Sequence, residues 1–129
     1  MRRWGFLLLA AAPLLAGCFD SGPSGPGAWT VEVSGPEALG PGAAVVLLRG
    51  EGITGFTAAG GSRVVGAPVA GESGAWRVLA VAPEGEPLRF RVEVQELRSG
   101  TPGGLALQAA DRENRPLSGV EGVTVRVHR

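Results

Sequence analysis

The chain has 129 residues, 44% of them hydrophobic, and its 12 basic residues (all Arg) balance 12 Asp plus Glu to a formal charge of zero. That length holds one domain, and without a strong field of either sign nothing supports electrostatic capture of nucleic acid or of an anionic membrane. Gly (22) and Pro (10) make up about a quarter of the residues, which together with alternating apolar positions points to a turn-rich all-β chain.

The first seventeen residues divide cleanly. Arg2 and Arg3 form a positive start, and Trp4–Leu15 is apolar, interrupted by Pro13. That run has the length of a signal h-region and falls short of the roughly 20 residues a spanning helix needs. Small residues, Ala16 and Gly17, then precede Cys18, the one cysteine of the chain. With no second cysteine there is no intrachain disulfide, and a metal or catalytic role lacks partners, since His128 is the one histidine. Leu15-Ala16-Gly17-Cys18 resembles the lipobox of bacterial lipoproteins at all four positions. The resemblance implies diacylglycerol on the Cys18 thiol, cleavage after Gly17, and a place in the bacterial cell envelope. Two acyl chains suffice for stable anchoring where one would not. Phe19 is not the Asp that retains such proteins at the inner membrane, so an outer-membrane destination is open. Removing residues 1–17 takes away two Arg and no acid, leaving 10 Arg against 12 acids, a net of −2.

Residues 18–27 continue with Gly, Ser and Pro, which bury no apolar surface, and read as a flexible tether. Ten such residues span on the order of 15–20 Å. The folded domain is expected over 28–129. Trp29, Val31 and Val33 alternate with polar residues in a first half-buried strand. Ala43–Arg49 is a continuous apolar run, expected to be covered on both faces. Strands starting at Ile53 and Ser62 are shorter, and the strand from Ala75 has two mostly apolar faces. In the strand from Pro87, Leu88, Phe90, Val92 and Val94 point one way and Arg89, Arg91, Glu93 and Gln95 the other. Strands from Leu105 and Val123 complete the set, with Val123, Val125 and Val127 inward. Eight or nine short strands in about a hundred residues predict a single β-sandwich, with a barrel as the alternative.

The order "VVLL", "ITGF", "WRVLAV", "LRFRVEV", a Gly-rich turn, "LALQAADRENRPL" and "VTVRV" is similar to that of the cohesin-like (jelly-roll type) sandwich. The resemblance implies a non-catalytic adhesion or docking module with a protein partner; related sandwiches bind polysaccharide.

Asp111, Glu113 and Asn114 could supply oxygen ligands to a hard cation, but Arg112 and Arg115 alternate with them, and a solvated turn is the expected role. Arg89, Arg91, Glu93, Arg126 and His128 occupy outward positions and are expected to form cross-strand pairs rather than a binding face. Trp29 and Trp76 begin strands in register with apolar neighbours and are expected in the core. With no Tyr in the chain, carbohydrate binding by a row of stacked rings is disfavoured. Ala58–Arg63 is Gly-rich but lacks the Lys of a phosphate loop. Glu84 with Glu86, and Glu93 with Glu96, are the paired carboxylates; no triad or metal cluster accompanies them, so no enzyme and no cofactor are expected.

Overall fold

Short alternating strands separated by Gly and Pro bury their apolar sides by packing two sheets face to face. The computed structural model, which describes residues 22–129, has this arrangement. Eight strands form among the described residues: β1 (Gly27–Ser34), β2 (Ala43–Arg49), β3 (Ile53–Ala58), β4 (Arg63–Pro68), β5 (Ala75–Val81), β6 (Leu88–Val94), β7 (Gly103–Ala110) and β8 (Thr124–His128). A 3-10 turn spans Leu97–Ser99. The expected signal (1–17), the expected lipid site Cys18 and residues 19–21 lie outside the described residues.

Every pairing is antiparallel. One sheet runs β3-β6-β1-β8 and the other β4-β5-β2-β7; they are called below the β1 sheet and the β2 sheet. The chain changes sheet at every connection except the β4–β5 hairpin, where the Val69 amide donates to the Ala75 carbonyl at 2.9 Å. Edges align, β3 against β4 and β7 against β8.

The core lies between the sheets. Val31, Val33, Leu88, Phe90 and Val92 enter it from the β1 sheet; Ala44, Val46, Leu48, Val78, Ala80 and Ala109 enter from the β2 sheet. The strict alternation of β6 is reproduced, with Leu88, Phe90, Val92 and Val94 buried and Arg89 and Arg91 exposed. Trp29, Trp76, Val123, Val125 and Val127 pack against the core as expected. Phe56 joins them, edge-on to Trp76 (centroids 5.3 Å apart) and to Phe90 (6.3 Å).

Two expectations need correction, and β7 adds an irregularity. β2 is not covered on both faces: Ala44, Val46 and Leu48 are buried, while Ala43, Val45 and Leu47 are half-buried on the outside. It is a central strand shielded sideways by β5 and β7, with no third layer above it among the described residues. β7 does not alternate simply. Val45 pairs with Gln108 and Val46 with Ala106, so Leu107 is an extra residue in a bulge that turns both Ala106 and Ala109 inward. The tether gives way to fixed chain before residue 27. The Gly25 amide donates to Glu96 Oε2 (2.8 Å), and the Gly25 carbonyl accepts from the Leu97 amide (2.8 Å).

Candidate functional site

A sandwich has two outer faces, and here they differ in chemistry. On the β1 sheet the outward positions include Thr30 and Glu32 of β1, Arg89, Arg91 and Glu93 of β6, and Thr124, Arg126 and His128 of β8. Arg126 Nη2 lies 2.6 Å from Glu32 Oε1, and His128 Nε2 lies 3.4 Å from Glu32 Oε2. The Arg126 hydrogen bond, opposed by partial burial and aided by His128, holds the Glu32 carboxyl below its ordinary range. Arg126 and His128 thus make the expected cross-strand pairs, whereas the side chains of Arg89, Arg91 and Glu93 form no ion pair among the described residues.

The β2 sheet is different. Its pairing register lays the outward side chains in rows across β4, β5, β2 and β7: Arg63–Val81–Ala43–Ala110, then Val65–Leu79–Val45–Gln108, then Ala67–Arg77–Leu47–Leu105. A last row, Ala75–Arg49–Gly103, closes the grid at the end where the described chain enters. Large apolar side chains stand open on it: Val65 is 69% exposed, Leu105 57%, Leu79 47% and Val81 39%. Nothing in the chain from 22 to 129 covers them. No carboxylate sits on the grid, whose charges are Arg49, Arg63 and Arg77. Arg49 is engaged, its Nε 2.6 Å from Glu72 Oε2.

Two open clefts flank this face. At the chain-entry end, Gly50–Ile53 and the β4–β5 hairpin enclose about 980 Å³ around the Arg49–Glu72 pair and Trp76. At the opposite end, Ala43, Val45, Leu79 and Gln108 form one wall of a cleft of about 690 Å³, with Pro116–Glu121 as the other. The second cleft continues the apolar grid.

The other residues singled out by sequence fall elsewhere. Asp111 Oδ1 accepts from the amides of Glu113 and Arg115 (both 2.9 Å), and Asn114 adopts a left-handed φ of 69°. The carboxylate thus organises its own turn. Arg112 points away from that turn to the carbonyls of Leu39 (2.7 Å), Gly40 (3.1 Å) and Pro83 (3.3 Å), tying three loops at one end of the sandwich. Glu96 caps the 3-10 turn, and hydrogen bonds from the Arg98 and Gly25 amides hold its carboxyl below the ordinary range. It does not face Glu93, which lies on the outer side of β6 in register with Ala28 and Gly55. Glu84 and Glu86 are exposed in the β5–β6 turn. In the Gly-rich stretch after Ala58, the Ser62 hydroxyl is buried, accepts from the Ala59 amide (3.1 Å) and lies 2.8 Å from the Arg89 carbonyl. It fastens the β3–β4 turn to β6.

Reading by sequence missed the apolar grid. The signal was present in β2 and β5, whose apolar residues occupy both parities, but two apolar faces also describe a strand buried on both sides. No family model, curated protein or solved structure matches the chain.

Proposed function

We propose that this chain is a lipid-anchored module of the bacterial cell envelope, of cohesin-like sandwich type, that docks another envelope or secreted protein without catalysing a reaction. The lipobox-like Leu15–Cys18 supports the anchor. The observation that carries the docking role is the uncovered grid of Val65, Leu79, Val81 and Leu105, on one outer face of a sandwich whose other outer face is charged. Exposed contiguous apolar surface of this kind marks interaction sites. A scaffolding role in an envelope complex is the second reading, and it uses the same face. Carbohydrate binding is disfavoured because all four aromatic residues among those described, Trp29, Phe56, Trp76 and Phe90, pack toward the core.

Two measurements test this. Mass spectrometry of the mature N-terminus is expected to find diacylglycerol on Cys18, and Cys18→Ala to accumulate uncut precursor; a processed, unacylated product ends the anchor. A photo-crosslinking amino acid placed at Leu79 in producing cells is expected to yield a discrete protein adduct that the same residue at Arg91 does not. Equal labelling from both positions, or none, ends the docking role.

A further inference from the structure

We propose that the outer face of the β2 sheet takes a protein partner whose contact surface is flat, apolar and acidic, with carboxylates placed to meet Arg63 and Arg77. The inference rests on the docking role above and names the chemistry of its occupant.

The argument is one of complementarity. Arg77 stands beside Leu47 in the third row of the grid and Arg63 beside Val81 in the first. Four residues along and one strand across put their backbones about 14 Å apart. Both are exposed, and among the described residues neither side chain forms an ion pair or hydrogen bond. A purely apolar partner laid over Leu79, Val65 and Leu105 would take water from these guanidinium groups and return no acceptor, which is unfavourable. Carboxylates restore the lost hydrogen bonds, and a guanidinium donates two of them to one carboxylate in paired, planar geometry.

The same charges argue against a second copy of this chain. A two-fold contact applies one patch to itself; here it would bring Arg63 and Arg77 toward their own equivalents, with no carboxylate on either grid. A bilayer fits less well also. Interfacial surfaces favour Trp and Tyr at headgroup depth, whereas this face carries neither, and both described tryptophans point inward. Four strands and four rows measure roughly 15 by 20 Å, below the ~800 Å² per partner of a standard interface. The partner therefore also enters the adjoining cleft against Pro116–Glu121.

The experiment uses the full chain in producing cells, with the photo-crosslinking residue at Leu79. The Arg63→Glu/Arg77→Glu double variant is expected to lose at least tenfold of the adduct at unchanged protein level and melting temperature. Arg63→Lys/Arg77→Lys should retain most of it. The partner peptide joined to Leu79 should carry Asp or Glu beside apolar residues. An adduct that survives charge reversal, or a contact peptide without acids, overturns the inference while leaving the docking role intact. Adducts to lipid or to a second copy of the chain overturn it as well. No adduct from Leu79 in any background refutes the docking role and the inference together.

Discussion

Asn114 and Glu32 illustrate how single side chains hold this protein's surface. At φ 69°, Asn114 is the one non-glycine residue with positive φ among those described, and it is tolerated there because a short amide side chain suits the left-handed region. Asn114→Gly is expected to leave stability within a few tenths of a kcal/mol, whereas Asn114→Ala should lose about 1 kcal/mol in urea unfolding. Equal stabilities would show that the Asp111 turn relaxes to another conformation. Glu32 gives a pH dependence. Its carboxyl is held below the ordinary 4.5, chiefly by the Arg126 hydrogen bond, so the pair stabilises the fold above that value. The contribution disappears as pH falls through the lowered folded-state value. Arg126 is largely solvent-exposed, so the effect is small, roughly 0.2–1 kcal/mol. Glu32→Gln should therefore be less stable than the parent at pH 7, with the gap closing as the pH falls through the lowered folded-state value. A gap that persists in acid would assign the effect to packing instead.

Among the elements, β4 is the most dependent on one position. It is an edge strand, and Gly66 faces the core against Phe56; a Cβ there would come within 2.4 Å of the Phe56 ring. Phe56 is in turn wedged by Trp76 and Phe90. Gly66→Ala is thus expected to destabilise by about 1–3 kcal/mol through overpacking, outweighing the 0.5–1 kcal/mol a strand gains from losing a glycine. A shift of the near-UV tryptophan signal should accompany the loss, and a variant more stable than the parent would contradict this packing. β6 was legible in full, because Leu88, Phe90, Val92 and Val94 alternate with charge. β7 was not. "LALQAA" contains no mark that Leu107 is an extra residue, since the bulge depends on its pairing with Val45 and Val46.

For the whole molecule, the space between the sheets and the outer face of the β2 sheet should respond oppositely to substitution. Phe90 and its neighbours fill the gap between the sheets, so Phe90→Ala is expected to lose about 3–5 kcal/mol. Leu79→Ser, on the outer grid, should change stability by less than about 0.5 kcal/mol. A large loss at Leu79 would mean that the outer face serves the fold rather than a partner. From residue order alone one reads the strands and the inward side of each regular one, because a period of two is a local property of the chain. The readings at Trp29, Trp76 and Asp111 were accessible for the same reason: each rests on neighbours a few residues away. Which strands pair, where a bulge shifts the register and which apolar face remains uncovered depend on contacts between distant segments. Arg63 and Arg77 balance acids in the composition, yet only the register of β4, β5 and β2 gathers them onto one apolar surface free of carboxylates.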